Sequence, residues 1–375
     1  MAIGCADFGV ILGVLLLVLA AAITWLSLRV LSYLALEYKD TNPTFYSVSE
    51  ILVPKLKWVI DVALIINCFG GVVAYVQTFG KLLCEGIMGI YSWDTESFSE
   101  QSATLVIQAI VLLILAPLCM MKEISGTRIA NMIGLGCIGY ILIMTFFYTP
   151  CDEARTALLR PGSILAAFGS FPTFIFAYAC QQNMFPVANE LKDANLKRLN
   201  VIAYGSVLTG FLIYLPVMIL PFLTFGYSIQ SSYLFNLDNK QVPVVIAFIF
   251  ASLSVSISYV LLLQPVRCSI MSLVYGHDQP TGKKEKTIRI ALVSALMAAS
   301  FGLAVALGKN LKLPVNVAGL LGGNTMCFVM PFLLYLKKYG FNPKDKFSLA
   351  VMATLVFCIL LYPICLTGII YDAAK

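Results

Sequence analysis

The stretch from Phe171 to Leu191, FPTFIFAYACQQNMFPVANEL, is apolar, has prolines at 172 and 186, and carries a polar Gln181-Gln182-Asn183 knot inside it. A bilayer has no water to satisfy freed backbone groups, so such an interruption survives at membrane depth only where protein or a wet cavity surrounds it. Broken helices of this kind present half-helix ends and bare carbonyls to a solute and its coupling ion. The stretch is therefore a candidate binding site. The plain alternative is a proline-kinked structural helix whose glutamines bond to neighbours. Two other sets of polar groups sit in apolar runs. Asn67 and Tyr75 flank Gly70-Gly71, and Ser252, Ser254, Ser256 and Ser258 alternate, so that Ser254 and Ser258 lie four apart on one helix face. Hydroxyl and carbonyl oxygens suit a hard cation such as sodium, although small hydroxyl residues also pack helix against helix in membranes.

The elements that must position these groups follow from composition. The 375-residue chain is 60% hydrophobic and only 12% charged, with a mean hydropathy of +0.89, which places it among polytopic membrane proteins. Runs of about 20 apolar residues predict ten helices, centred near 20, 69, 112, 139, 176, 213, 255, 298, 325 and 359, in one transmembrane domain over residues 1–375. Of the 25 Lys and Arg residues, 18 fall in one alternate set of connections and ends, including those near 33–56, 122–128, 190–199, 275–288 and 337–346, and 6 in the other, among them Arg155, Arg160 and Lys309. Retention of basic residues on the cytoplasmic side makes the first set cytoplasmic. The net charge of +6 thus reports topology, and no nucleic-acid partner is expected. Asp61 and Glu190 read as interfacial charges. The 11 cysteines lack paired spacing, and the single histidine, His277, has no metal-ligand companions, so neither a disulfide framework nor a metal site is expected. No P-loop, nucleophile elbow or HExxH occurs, which removes ATP-driven pumping and membrane hydrolysis; the chain is not expected to be an enzyme.

Four segments together resemble the amino acid/auxin permease family and, within it, the sodium-coupled neutral amino acid transporters. DVALIINCFGGVVAYVQTFGKLL is similar to that family's third helix. FPTFIFAYACQQNMFPVANELKD is similar to the sixth, through Pro172-Thr173, Phe176 to Cys180, and Pro186 with Glu190-Leu191. SYVLLLQPVRCSIMSLVYG resembles the end of the eighth, with Pro265 and Arg267, and NVAGLLGGNTMCFVMPFLLYLK resembles the tenth. Set against the family's eleven helices, this sequence starts at the tail of the first, whose Gly-x-Gly unwinding would lie before Met1.

The resemblance implies an all-α, LeuT-like five-plus-five inverted repeat with one discontinuous helix, N-terminally truncated, plus one C-terminal helix. It implies secondary active transport of amino acids, small or medium neutral ones, by alternating access coupled to sodium or protons, with no cofactor beyond that ion. Thr173, Phe176, Ala177, Tyr178 and Cys180 would line the solute cavity, with Asn67 and Tyr75 facing it from the third helix. Ser258 stands seven residues before Pro265, the spacing at which the resembled transporters place a sodium-binding threonine, and Ser254 is the second candidate. The partners expected are an amino acid substrate and the lipid bilayer, with the protein a monomer in the plasma membrane or a lysosomal or vacuolar membrane. The competing expectation is a non-transporting amino acid sensor or an inactive, shortened paralogue.

Overall fold

The computed structural model describes residues 2–41, 43–91, 100–121, 127–149, 164–275, 281–308 and 310–373. His277, Arg155, Arg160, Lys309 and most of the connection at 122–128 lie outside the described residues. The described chain is helical throughout, without a strand. In order the helices are α1 (Ala2–Glu37), α2 (Phe45–Leu52), α3 (Lys57–Tyr91), α4 (Glu100–Cys119), α5 (Thr127–Tyr148), α6 (Ile164–Ala177), α7 (Met184–Glu190), α8 (Leu196–Phe225), α9 (Val242–Tyr275), α10 (Gly282–Leu307) and α11 (Lys312–Val317). A π-helix (Ala318–Val329), α12 (Met330–Tyr339) and α13 (Lys346–Ala373) complete the chain.

Nine segments among the described residues are long and apolar enough to cross a membrane: Gly9–Glu37, Pro54–Ile90, Gln101–Cys119, Asn131–Tyr148, Leu196–Ser228, Val242–Tyr275, Gly282–Leu307, Lys312–Tyr339 and Lys346–Tyr371. The expected centre near 176 falls at the end of α6, just before the gap to α7, on a helix in two pieces, each too short to count alone. Local sequence sets the boundaries. Gly9 adopts φ 70° and separates the first residues of α1 from its 29-residue span, a backbone geometry that glycine enters without a Cβ clash. The connection expected at 33–56 is partly helical, because α1 runs on to Glu37 and Thr44 starts α2 with a capping box, accepting from the Ser47 amide. Asn195 caps α8 by accepting from Arg198, and Gly340 ends α12 at φ 74°.

Burial sorts the spans into a centre and a perimeter. The best windows of α3, α9 and the α11–π–α12 segment are 56, 50 and 72% buried, whereas those of α4, α5, α8, α10 and α13 are 22% buried. The outer helices therefore expose large apolar side chains, such as Leu113, Phe147 and Val201, as lipid-facing surface does. One large cluster of buried residues joins α1, α6, α8, the π-helix and α13, and a second, around Phe79, Tyr259 and Val293, joins α3, α4, α9 and α10. Cys68, Cys119, Cys137, Cys327, Cys358 and Cys365 are buried free thiols.

The π-helix is the least expected element. Its bonds run from residue i to i−5, as from the Met330 amide to the Thr325 carbonyl, whereas such geometry is ordinarily confined to a single turn. Its glycines lie against neighbouring backbone: a Cβ on Gly322 would stand 2.4 Å from the Asn67 nitrogen, and one on Gly319 would overlap the Pro172 carbonyl. Thus α3, α6 and the π-helix meet at backbone distance. Close approach needs glycine there for lack of room rather than for its φ.

Candidate functional site

The chain leaves the α-helix at Ala177. The Tyr178 amide still reaches back to Phe174 (3.2 Å), but Ala179 bonds to Phe176 (3.2 Å) and Cys180 to Tyr178 (2.9 Å), so the regular ladder ends and the Ile175 carbonyl loses its helical donor. The Gln181 side chain accepts a further bond from the Cys180 amide (2.9 Å), and Gln181–Asn183 form a single 3-10 turn before α7. The polar knot therefore caps a broken helix, which explains why glutamine is found in so apolar a run.

Side chains from four elements converge on the break. Thr173 donates its hydroxyl to the Asn316 amide oxygen of α11 at 2.7 Å. Tyr214 of α8 donates to the Ala177 carbonyl at 2.9 Å, and its ring meets Tyr178 edge-on, with centroids 5.3 Å apart. The Phe176 ring lies where a Cβ on Gly71 of α3 would stand 2.8 Å away. Asn67, on the same helix, packs its backbone against Gly322 and points its side-chain oxygen toward Gly323, beside Ile175 of α6. Tyr75, two turns further along, is partly buried and close enough to Tyr214 and Cys68 to interact with them electrostatically. Cys180 is partly exposed.

The polar balance here is unusual. Asn67 and Tyr178 are 3 and 4% exposed, yet the Asn67 side-chain oxygen and the Tyr178 hydroxyl lack a hydrogen-bond partner, as do Gln181 Nε2 and Gln182 Oε1 nearby in sequence. An unsatisfied buried polar atom forfeits about 1–3 kcal/mol. The orphaned set contains two acceptors, a donor and a hydroxyl that can act as either, which is what solvating both a carboxylate and an ammonium requires.

Ser254 and Ser258 lie elsewhere. Ser258 donates to the Ser254 carbonyl within α9 (2.9 Å), and both residues face α5 across a cavity of ≈ 200 Å³ lined also by Asn131, Gly134 and Ile138. A second cavity of ≈ 690 Å³ shares Asn131 and Leu135 with it and runs along α5 to Asn183 and Glu190. Hydroxyl oxygens carry lone pairs and so suit a hard cation in type. Together the two cavities run from the end of α7 to the serine face of α9, with Asn131, Asn183, Glu190, Ser254 and Ser258 set among apolar side chains.

Sequence reasoning missed Asn316, Tyr214 and Asn131. Asn316 is the one that carried a signal, being a buried amide one turn before the Gly-rich run.

A closely packed, all-helical bundle with one helix broken among orphaned polar atoms defines a multi-pass integral membrane protein of LeuT-like architecture. Its likeness to a solved structure, MhsT in complex with L-phenylalanine, has a TM-score of 0.59 at 13% identity and covers 98% of this chain and 92% of that one. The chain belongs to the family described as transmembrane amino acid transporter protein, which it matches over residues 1–374. Vacuolar amino acid transporter 6 of Saccharomyces cerevisiae is 24% identical, across 91% of this chain and 86% of its own length. Vacuolar amino acid transporter 5 of Schizosaccharomyces pombe is 24% identical, across 90 and 79%. Sodium-coupled neutral amino acid transporter 7 of Mus musculus is 25% identical over 54% of this chain and 45% of its own length. These relatives are transporters and not enzymes.

Proposed function

We propose that this protein is a secondary active transporter that carries neutral amino acids across its membrane by alternating access, driven by entry of sodium or protons. The observation that carries the reading is the break at Ala177–Cys180, where backbone and side-chain polar atoms without partners meet in apolar surroundings. A zwitterion entering the bilayer must exchange water for acceptors at its ammonium and donors at its carboxylate. Groups of both kinds are gathered around the break, and no acidic or basic side chain is among the residues that meet there. That selects for a substrate with a neutral side chain.

Thr173, Phe176, Ala177, Tyr178 and Cys180 form the solute face of the broken helix, opposite Asn67 and Tyr75. Ser254 and Ser258, with the cavity along α5, form the ion's course toward the end that carries the basic connections. The chain acts as a monomer in either a plasma or a lysosomal or vacuolar membrane; two of the relatives above are vacuolar by name. Uptake of a panel of labelled amino acids into proteoliposomes, under imposed sodium or proton gradients, tests this. Saturable uptake that follows one ion is expected. Absence of uptake by well-folded protein that still binds an amino acid would overturn transport in favour of sensing.

A further inference from the structure

The Arg29 guanidinium, two turns before the end of α1, lies over two aromatic rings, 5.6 Å from the Trp25 centroid and 4.9 Å from that of Phe347. Its Nε is buried and has no acceptor. The acids nearby are engaged elsewhere: Glu37 pairs with Lys338 at 2.9 Å, and Asp345 accepts from the Phe347 and Ser348 amides at the start of α13. Arg29 therefore has no carboxylate partner among the described residues. Arg29 as a whole is only partly buried, so its terminal nitrogens can meet an anion from outside the chain, and its planar fork matches phosphate. Phe347 belongs to the first turn of α13, so the guanidinium lies at the level where membrane spans begin.

An independent feature adjoins it. Val18, Ala22 and Trp25 of α1, with Val207, Leu208 and Phe211 of α8, line an apolar groove of ≈ 350 Å³. Val18, Ala22, Trp25 and Arg29 succeed one another at helical spacing on one face of α1. From Arg29 to Val18 the helix rises about 16 Å, roughly half the ~30 Å hydrocarbon thickness, which is the depth of one leaflet.

We propose that this face of α1 and α8 holds one anionic phospholipid, its phosphate on Arg29 and an acyl chain in the groove above Trp25. The aromatic faces around Arg29 are already occupied by the guanidinium, so no cage is left for a choline headgroup. Lys337 in the last turn of α12, Lys344 on the connection after it and Lys346 at the start of α13 add positive charge that favours a second negative group.

Native mass spectrometry of the full chain in detergent tests this, with phosphatidylglycerol and phosphatidylcholine competing for the protein. One phosphatidylglycerol should be retained with a preference of roughly fivefold or more. Arg29→Gln should lose the preference, and replacing the exposed Lys284 with glutamine should keep it. Equal retention of both lipids by the unaltered protein would overturn the proposal without recourse to any variant, as would an undiminished preference in Arg29→Gln. Thermal stabilisation by inorganic phosphate equal to that by phosphatidylglycerol would also overturn it, in favour of a free anion.

Discussion

Replacing Gly322 with alanine should separate α3 from the π-helix and so test the backbone contact on which the candidate site rests. The added Cβ would stand 2.4 Å from the Asn67 nitrogen and 2.6 Å from its Cα and Cβ, where ordinary contact begins at 3.4 Å. None of these atoms is the tip of a flexible side chain, so two helices must part by about 1 Å, a gap that already forfeits up to half of each dispersion contact along the seam. Overpacking of this severity destabilises by about 1–3 kcal/mol. The Asn67 oxygen would move with its backbone, so uptake should fall as well. The reference is Gly302→Ala in α10, where an added Cβ meets nothing within 4 Å. Removing a mid-helix glycine there should stabilise by about 0.5–1 kcal/mol. Thermal unfolding of both variants in one detergent, followed by tryptophan fluorescence, should place Gly322→Ala several degrees below the unaltered protein and Gly302→Ala at or above it. Coincident melting of the two variants would refute the contact.

Three further outcomes are expected. Tyr178→Phe removes a hydroxyl with no partner, so melting should hold or rise slightly while the KM for uptake increases; an unchanged KM would remove Tyr178 from the site. Tyr214→Phe deletes the bond to the Ala177 carbonyl and should lower stability by about 0.5–1.5 kcal/mol, whereas an unchanged melting curve would show that the break does not depend on it. Ser258→Ala loses only a bond to its own helix and should leave melting unchanged while raising the half-saturating sodium or proton concentration for uptake; an unaltered ion dependence would take the serine face out of the ion's course.

Hydropathy alone made much of the scaffold legible, because a lipid-facing helix must be apolar along its whole length and says so in sequence. The broken helix was legible for the opposite reason: Pro172, Pro186 and the Gln181–Asn183 knot are residues that lipid would not tolerate in a plain span. What could not be read were meetings between distant segments. Thr173 and Asn316 are 143 residues apart, and nothing local marks them as partners. Tyr214 lies in a helix whose remaining pattern resembles that of any outer span. The four-residue spacing of Ser254 and Ser258 showed that they share a face, but only packing turns that face to α5 rather than to the break. Gly319, Gly322 and Gly323 signalled close packing, while the widened helix that carries them left no mark in composition, since α and π turns use the same residues.

Chain length should be tolerated unevenly along this molecule. In a packed α-helix, losing one residue swings everything beyond it by about 100°, which in α3 or α9 would turn a buried face toward lipid. Between Ala318 and Val329 each backbone loop encloses one residue more than an α turn does, so a single deletion can be absorbed by tightening a π turn into an α turn. Met330–Tyr339 would then keep its heading, and Tyr335 its place beside Phe347. Past Gly323, where the close contacts with α3 and α6 are already made, one residue can be lost from this stretch while the packing before it stays put.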